Sequence, residues 1–229
     1  DGVRCSRCLL PNKDRMNVLY ISTWFPYPPD SGSKLRVFYL LQALARCHEV
    51  TLVAFDFDTP ASTTAEWPGP KPASIERIPI DPFAAAKDVA LHSRVLAHFG
   101  ASRLVPQMRD AVQRHLREGA FSATIASTFV CAPYALASLR PTVRILEEHN
   151  SLTRWIWAFL RQEVRPLQRL RRWLSWQKTR RLEARLFHQF DLVTAVSAQD
   201  ARAMVEMLPG YRGPVEIVPN GTDCLHNRP

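Results

Sequence analysis

The chain has 229 residues, of which 46% are hydrophobic and 22% charged, enough apolar material to build a substantial core. It contains no run of about 18 apolar residues, and its N-terminus lacks the apolar segment of a signal peptide, so we expect neither a spanning helix nor secretion. The net charge is +9, and most of it comes from residues 151–190, which hold ten Lys/Arg against two acidic residues. A cytoplasmic protein with one basic segment is therefore the first expectation.

From residue 17 onward, apolar runs of strand length alternate with stretches that have a helical pattern. Strands that are apolar throughout and joined by helices indicate a parallel sheet covered on both faces. Right-handed crossovers then give a Rossmann-like, doubly wound α/β domain with a mostly parallel sheet. The predicted strands are residues 17–23, 48–55, 75–80, 121–127, 142–148, 191–197 and 215–219. The predicted helices are residues 34–46, 83–118, a short helix between the fourth and fifth strands, 151–189 and 198–208. The second of these is broken near Gly100 and Pro106, and the helix at 151–189 is divided at Pro166.

The loop after the first predicted strand is the first candidate binding site, because ligands of such sheets bind at the carboxyl ends of the strands. Ser31, Gly32 and Ser33 precede a helix whose free backbone NH groups and dipole favour an anion such as phosphate. Lys34 and Arg36 add positive charge beside them. The alternative is a tight turn in which Ser31 or Ser33 caps the helix and the charges are solvated.

Polar residues also follow the fifth and sixth predicted strands. His149 and Asn150 come directly after the fifth strand, where an imidazole would face a cleft and hydrogen-bond a phosphate or a sugar hydroxyl. The alternative is a structural histidine that caps the next helix together with Asn150 or Ser151. Ser197 ends the sixth strand with Asp200 three residues later, a spacing that favours a helix cap over a ligand contact.

The cysteine spacing predicts no metal site. Cys5 and Cys8 form one CxxC pair, and no second CxxC or HxxxH motif supplies the other ligands of a zinc site. We therefore expect neither a metal ion nor a tightly bound cofactor.

Four segments in this order resemble the N-terminal half of family 4 glycosyltransferases of the GT-B fold. They are similar to that family's first strand with its glycine-rich loop and first helix, its strand ending in Glu-His-Asn, its glutamate-bearing helix before a Val-Ser strand end, and its Pro-Asn-Gly hinge. In this chain the segments read MNVLYISTWFPYPPDSGSKLRVFYLLQALARCHEVTLVAF from residue 16, RILEEHNS from 144, LEARLFHQFDLVTAVSAQDA from 182 and VEIVPNGTD from 215.

The resemblance implies two Rossmann-like domains that face each other across a cleft, with the acceptor bound mainly by the N-terminal one. It assigns the loop of Ser31, Gly32 and Ser33 to the diphosphate of a nucleotide-sugar donor, and it assigns His149 to catalysis beside the transferred sugar. The implied reaction is retaining transfer of a hexosyl unit from a nucleotide diphosphate sugar to a glycan or glycolipid acceptor. The residues expected on the acceptor side of the cleft are Lys34, Arg36, Asn150 and Ser197.

The periodic pattern, which starts only at Asn17, and the resemblance together predict the domain boundaries. Residues 1–15 form an appendage that we expect to be disordered, residues 16–219 form the family 4 N-terminal domain, and residues 220–229 begin the interdomain hinge. Because no second domain follows the hinge in this sequence, we expect the polypeptide alone to be inactive and to need a donor-binding domain in cis or in trans.

One residue of the loop departs from the family pattern. Ser33 stands where the family usually has a second glycine; its Cβ limits the close approach of a ligand, while its hydroxyl offers a hydrogen-bond donor. Two other readings stay open at this point. One is a stand-alone or remnant binding domain without catalysis, and the other is a different GT-B enzyme such as a sugar epimerase.

The basic segment at residues 151–190 would suit contact with an anionic membrane, because Arg and Trp residues flank a narrow apolar strip. Such contact would suit a transferase that acts on lipid-linked acceptors at the inner face of the cell membrane. The alternative is an ordinary surface helix packed through its leucines. Nucleic acid is not expected, because no recognition helix or RNP-like strand accompanies the segment. The candidate membrane-contact residues are Arg165, Arg169, Arg172, Trp173, Trp176 and Arg180.

Overall fold

Seven parallel β-strands form one sheet that is flanked by helices. The computed structural model describes residues 15–57, 67–84, 104–137 and 142–220. Within these ranges the strands are β1 (Asn17–Ser22), β2 (Glu49–Phe55), β3 (Ser74–Ile78), β4 (Ala123–Ser127), β5 (Val143–Glu147), β6 (Leu192–Ala195) and β7 (Val215–Ile217). The helices are α1 (Gly32–Cys47), α2 (Pro106–Glu118), α3 (Thr128–Ala135), α4 (Leu152–Gln162), α5 (Pro166–Phe187) and α6 (Ala198–Met207).

The strand order is β3-β2-β1-β4-β5-β6-β7, so the chain winds outward from β1, returns to the middle and then winds outward in the other direction. The return places β4 beside β1, with Val18 opposite Ala123 and Ile21 opposite Ala126. This reversal is a topological switch point, and the carboxyl ends of the two strands flank the crevice where ligands of such sheets bind. The predicted Rossmann-like α/β fold is confirmed.

The strands are apolar on both sides because both faces of the sheet are buried. In β1, Leu19 and Ile21 belong to the core on one face, while Val18 and Tyr20 belong to the core on the other. Helices α2 and α3 and the end of α5 complete the first core, and α1 completes the second. This arrangement explains why the strand pattern in the sequence is a continuous apolar run rather than an alternation.

Helices α4 and α5 pack against each other as a pair that we call the basic hairpin (residues 152–187). Helix α5 begins at Pro166, the residue expected to divide this segment, because the fixed φ of proline suits a first helical turn. Ile156, Leu160 and Trp176 form a small core inside the hairpin. None of the helices in the described ranges combines the length and the apolar character needed to cross a bilayer.

The observed elements agree with the predicted ones in order and type wherever the chain is described. Strand β3 ends two residues earlier than expected, at Ile78. The helical pattern predicted for residues 83–118 is observed from Pro106 onward, and residues 85–103 lie outside the described part. Residues 1–14 and 221–229 also lie outside it, so most of the predicted appendage and hinge start cannot be compared.

Candidate active site at the strand ends

The carboxyl ends of β1 and β4 meet through a cluster of small polar side chains. Thr23 Oγ1 donates to the Ser127 carbonyl at 3.0 Å and lies 2.9 Å from Thr128 Oγ1. Thr128 has a φ of 67°, a conformation that β-branched residues rarely adopt. Such positions cost about 1–3 kcal/mol and cluster at functional sites, so the backbone strain here independently indicates a functional strand end.

Glu147, the last residue of β5, is buried and accepts hydrogen bonds from four side chains. The donors come from α1, β1, β4 and the segment after β5, so one carboxylate joins four parts of the fold. They are Arg36 Nε at 2.5 Å from Oε1, and Ser127 Oγ, His149 Nε2 and Tyr20 Oη at 2.9, 3.0 and 3.2 Å from Oε2.

The charge of Glu147 determines which nitrogen of His149 carries a proton. Burial alone would raise the pKa of Glu147, but the hydrogen bond and charge of His149, together with those of Arg36, lower the pKa to about 2. Glu147 is therefore ionised at neutral pH and can only accept hydrogen bonds. His149 Nε2 must accordingly be protonated, which leaves Nδ1 available to a ligand, since Nδ1 has no hydrogen-bond partner among the described residues.

His149 is fixed in place by its neighbours rather than by the following helix. Its ring stacks on Trp24 at a centroid distance of 6.2 Å, and 9% of its surface is exposed. The cap of α4 is instead Ser151, whose Oγ accepts from the backbone NH of Arg154 at 3.3 Å, while Asn150 is exposed. Of the alternative in which His149 caps the next helix with Asn150 or Ser151, the cap at Ser151 is confirmed, whereas the hydrogen bonds of His149 are with Glu147 and Ser127 and not with the helix.

Arg36 is buried inside the protein, so the expectation of a solvated charge at this position is wrong. Besides Glu147, it donates from Nη1 to the Val218 carbonyl and to Asn220 Oδ1, both at 2.8 Å. Its other terminal nitrogen, Nη2, is buried without a hydrogen-bond partner in the described part of the chain. Arg36 thus connects α1 to the end of β5 and to the segment after β7, and Glu147 balances its charge.

A groove of about 180 Å³ lies beside this connection. The groove lies between the start of α1 and the segment after β7. The family resemblance assigns these two segments to the donor loop and to the interdomain hinge. Its lining residues are Gly32, Leu35, Arg36, Tyr39, Leu40, Pro219 and Asn220.

The loop before α1 presents the N-terminus of this helix at the protein surface. Ser31 is the N-cap, with its Oγ accepting from the backbone NH of Lys34 at 3.4 Å. The Lys34 side chain is buried and pairs with Asp30 at 3.2 Å, so this charge is not solvated either. Gly32 is exposed, and a Cβ built on it would meet no atom within 4 Å. Of the two serines predicted as possible caps, Ser31 is the cap, and Gly32 with the half-buried Ser33 offers backbone NH groups to a ligand.

Ser197 is confirmed as a helix cap. Its Oγ accepts from the backbone NH of Asp200 at 3.1 Å and donates to the Asp200 carboxylate at 2.6 Å. Asp200 also pairs with Arg154 at 2.8 Å, which ties α6 to α4. The Ser197 hydroxyl is thus used within the protein, whereas a contact with an acceptor remains only a prediction.

Three of the candidate membrane-contact residues, Arg165, Arg169 and Trp173, are exposed at the tip of the basic hairpin. Arg172 lies beside them and is half-buried. Its Nε pairs with Glu163 at 3.1 Å, so its charge is already balanced. The exposed part of the predicted surface is therefore the loop and the first turns of α5.

The other two candidates, Trp176 and Arg180, lie deeper in the basic hairpin. The Trp176 ring packs on Trp157 with centroids 4.7 Å apart, and the Arg180 guanidinium lies 4.7 Å from the centre of the Trp176 ring. The surface role expected of Trp176 is wrong, because its ring fills the space between α4 and α5.

Two further carboxyl groups are buried where the basic hairpin joins the sheet. Glu183 accepts hydrogen bonds from the backbone NH groups of Leu152 and Thr153, at 3.2 and 3.1 Å, and from the Thr153 hydroxyl. Burial raises the pKa of Glu183 to about 7. Burial, followed by the charges of Glu183 and Glu147, raises the pKa of Glu148 well above its ordinary value. The N-terminus of α4 is thus held by a carboxyl group that titrates near neutral pH.

Glu147 and its partners Tyr20 and Ser127 were missed by the sequence reasoning. The available signal was the pair Glu147-Glu148 directly after an apolar strand, because buried carboxylates need hydrogen-bond donors. The donors could not be identified, because the sequence does not give the register that places Ser127 opposite Glu147.

Within the described ranges, no three His, Cys, Asp or Glu side chains are grouped as metal ligands would be. The CxxC pair of Cys5 and Cys8 lies outside those ranges. The strand-end site therefore consists of hydrogen-bonding and charged groups, with His149 and the start of α1 as the parts that a ligand can reach.

The sheet topology and the site at the strand ends define the chain as a Rossmann-like α/β domain, and the family comparison makes the class specific. Residues 31–224 match the family described as Glycosyltransferase Family 4, so the chain belongs to this family. None of the curated proteins matches the chain.

Solved GT-B glycosyltransferases share the fold. Sucrose-phosphate synthase from Thermosynechococcus elongatus is similar with a TM-score of 0.57 at 13% identity, over 92% of this chain and 49% of that one. UGT2 from Phytolacca americana, complexed with UDP-2fluoro-glucose and pterostilbene, is similar with a TM-score of 0.52 at 13% identity, over 92% of this chain and 56% of that one. HepE from Anabaena, in complex with UDP and glucose, is similar with a TM-score of 0.51 at 18% identity, over 92% of this chain and 46% of that one. The chain thus spans about half the length of these proteins and has the fold of the N-terminal GT-B domain.

Proposed function

We propose that this chain is the acceptor-side half of a retaining glycosyltransferase. The enzyme moves a hexosyl unit from a nucleotide diphosphate sugar to a glycan or glycolipid acceptor. Membership of family 4 supports the reaction class, and two structures of the same fold hold UDP or a UDP-sugar. The observation that carries the proposal is His149, held by the ionised Glu147 beside the topological switch point of the sheet.

In this proposal His149 contacts the transferred sugar. Because Glu147 accepts from Nε2, the free Nδ1 accepts a hydrogen bond from a sugar hydroxyl when the ring is neutral. The stacking on Trp24 fixes the ring plane before substrate binds. A catalytic group that is already oriented avoids the cost of ordering during the reaction.

The exposed start of α1 is proposed to bind the donor diphosphate. The backbone NH groups of Gly32 and Ser33 and the positive end of the helix dipole favour an anion, and the Ser33 hydroxyl adds one donor. Arg36 acts as a positioning residue, because it joins this helix to Glu147 and to Asn220. The groove between Gly32 and Asn220 lies on the same side of the fold as these contacts.

Catalysis is proposed to need a second, donor-binding half in cis or in trans. A leaving nucleotide diphosphate needs several positioned donors or cations around its developing charge. The described residues supply the start of α1 and one histidine, and Arg36 and Lys34 are already paired with carboxylates. The donor itself is a substrate, so the proposal includes no tightly bound cofactor.

The reaction is tested by linking the chain after Asp223 to the donor-binding half of a family 4 enzyme. Release of nucleoside diphosphate is measured with UDP- and GDP-hexoses and with glycan and glycolipid acceptors. We expect the linked protein to transfer sugar and the chain alone to be inactive. His149→Ala should lower kcat by at least about 100-fold, the usual effect of losing a positioned acid–base group.

His115→Ala is the matched control for this loss. His115 also contacts a glutamate, with its Nε2 2.7 Å from Glu76 Oε2, but it lies at the other end of the sheet. Equal losses in the two variants would contradict a specific role of His149. Acceptor binding without any turnover in the linked protein would favour a binding domain, and fast transfer by the chain alone would contradict the need for a donor half.

The donor loop is tested by Gly32→Ala and Ser33→Gly in the same linked protein. Because the new Cβ at Gly32 meets no atom within 4 Å, Gly32→Ala should leave the fold intact and raise the donor KM only if a ligand approaches the backbone. Ser33→Gly should raise the donor KM by roughly fivefold through the lost hydroxyl. Unchanged donor affinity and turnover in both variants would contradict the phosphate role of this loop.

A further inference from the structure

The tip of the basic hairpin exposes large apolar side chains without packing them on the protein. Val164 is 89% exposed and Leu167 is 76% exposed, although both lie in the loop or the first turn of α5. Leu170, Trp173 and Leu174 continue this exposure along the helix. Exposed apolar residues are common singly, but a contiguous set on one projecting element marks an interaction surface.

The same tip is basic, and its exposed groups include no free acidic side chain. The hairpin sequence contains two acids, Glu163 and Glu183. Glu163 pairs with Arg172, and Glu183 is buried at the base. The exposed cations of the tip are Arg161, Arg165, Arg169 and Arg171. An occupant of this surface must therefore combine negative charge with apolar groups.

A groove between α4 and α5 opens on this tip and has a volume of about 430 Å³. Trp157, Leu160, Leu170, Trp173 and Trp176 supply apolar walls, while Arg161 and Arg169 contribute the charged groups. Apolar walls with arginines beside them suit a hydrocarbon chain that ends in an anionic head group.

The base of the hairpin is firmly attached, in contrast to the tip. Glu183 accepts from the first backbone NH groups of α4, and Arg154 pairs with Asp200 of α6 at 2.8 Å. Ile156, Leu160 and Trp176 pack between the two helices. The hairpin therefore presents its tip on a rigid support.

We propose that the tip of the basic hairpin binds the surface of an anionic lipid bilayer. The arginines contact lipid phosphates, and Val164, Leu167, Leu170 and Trp173 enter the boundary between head groups and acyl chains. This proposal does not depend on the proposed transferase reaction. It is narrower than the surface expected from the sequence, because Trp176 packs between α4 and α5 and contributes only a wall of the groove.

The binding test uses the whole chain and sedimentation with vesicles. One set of vesicles contains phosphatidylcholine alone, and the other contains phosphatidylcholine mixed with phosphatidylglycerol. We expect the chain to sediment with the anionic vesicles and to be released as the salt concentration rises. The double variant R165E/R169E should lower the partition coefficient by at least about tenfold, since each basic residue near such a surface contributes several-fold.

Matched control variants separate the tip from the rest of the surface. Leu170→Asp should weaken binding at least about fivefold, whereas Leu104→Asp should not, although the two leucines are 54% and 57% exposed. Arg117, an exposed residue of α2, serves as the control for charge reversal. Equal effects of Leu170→Asp and Leu104→Asp would overturn the proposed location.

Insertion of the tip is measured by quenching of tryptophan fluorescence with brominated lipids. Trp173→Phe should remove much of the quenching, whereas Trp67→Phe should keep it, because Trp67 packs against Phe25 and Phe38 in the core that α1 completes. Quenching that survives in Trp173→Phe at its full value would contradict insertion of the tip.

Three further outcomes would overturn the proposal. The first is binding to neither type of vesicle. The second is a salt-dependent gel shift of RNA that R165E/R169E abolishes while vesicle binding is unchanged, which would assign the tip to nucleic acid. The third is a dimer of the chain that Leu170→Asp dissociates while vesicle binding is unchanged, which would assign the tip to self-association.

Discussion

A glutamate paired with an arginine occurs both at the strand-end site and at the tip of the basic hairpin, with different surroundings. The Glu147–Arg36 pair is buried, and three further side chains donate to the carboxylate. The Glu163–Arg172 pair has an arginine that is 42% exposed, and it lies on a projecting element. The first pair fixes the position of a histidine, whereas the second balances one charge on a surface that keeps several others.

This difference distinguishes a preorganised site from an exposed interaction surface. At the strand ends, the cost of burying charge is offset by hydrogen bonds from several elements, so the geometry is set before any ligand arrives. At the hairpin tip, apolar and basic groups face solvent and gain their interactions from a partner. Variants that act on equivalent groups in the two regions should therefore have very different effects on stability.

The largest expected effect is that of Glu147→Ala. It leaves the buried guanidinium of Arg36 without its carboxylate, and we expect the free energy of unfolding to fall by about 3–5 kcal/mol. Glu163→Ala removes a pair whose arginine is 42% exposed, together with the hydrogen bond from the backbone NH of Arg165, and should cost about 1–2 kcal/mol. Urea unfolding of both variants, followed by far-UV circular dichroism, measures the difference. Similar losses would show that the strand-end network does not stabilise the fold as its burial implies.

The next effect distinguishes two tryptophans of the same helix. Trp176→Ala removes the ring that packs on Trp157 and under Arg180, so we expect a loss of about 3 kcal/mol and fraying of the hairpin. Trp173→Ala should cost only about 1 kcal/mol, because Trp173 is 43% exposed whereas Trp176 is 9% exposed. Hydrogen exchange of the α4 and α5 amides reports the fraying directly. A larger loss of stability in Trp173→Ala than in Trp176→Ala would mean that the tip is packed against the protein and not exposed to a partner.

The fold could be predicted from the sequence because its signals are local. Continuous apolar runs give buried parallel strands, and Pro166 and the cap at Ser197 mark helix starts. The burial of Lys34 and Arg36 could not be predicted in the same way. Their partners are Asp30, four residues away, and Glu147, more than a hundred residues away. The Lys34–Asp30 pair is a local contact, whereas the pairing of Arg36 with Glu147 depends on strand order, and strand order is not contained in local periodicity.

In the basic hairpin as well, the sequence predicted the type of segment but not which of its side chains are buried. The composition of residues 151–190 correctly indicated a basic helical segment with aromatic residues. It did not show that Trp176 is buried against Trp157 while Trp173 is partly exposed, because the two tryptophans are three residues apart, close to one helical turn. Small rotations of a helix decide which of two such neighbours is buried, and those rotations follow from packing against the second helix.

An effect of similar size concerns pH and the base of the hairpin. Because the pKa of Glu183 rises from its ordinary value of 4.5 to about 7 in the fold, its stabilising contribution is complete below pH 4.5 and is lost as the pH rises through 7. We expect the free energy of unfolding to fall by roughly 3 kcal/mol over this window, with Glu148 acting in the same direction. Glu183→Gln should flatten this dependence, and the exposed Glu206→Gln should not.

The strand-end carboxylate should show the opposite dependence. The pKa of Glu147 is lowered to about 2, so its stabilising contribution is present above its ordinary pKa and is lost as the pH falls toward 2. Thermal unfolding measured at closely spaced pH values separates the two windows. A stability curve that is flat between pH 4.5 and 7.5 would contradict the buried environment assigned to Glu183.

The smallest expected effect tests whether the donor loop and the helix after β6 use their serines in the same way. The hydroxyls of Ser197 and Ser31 both cap helices, but Ser197 also donates to Asp200, whereas Ser31 makes a single long contact at 3.4 Å. Ser197→Ala should therefore cost about 1 kcal/mol in urea unfolding, and Ser31→Ala about half as much. If Ser31→Ala nevertheless raises the donor KM of the linked enzyme more than Ser197→Ala does, the small structural cost leaves ligand binding as the cause. If both measurements rank the two serines alike, the loop before α1 is a helix cap, and the donor diphosphate must be bound elsewhere.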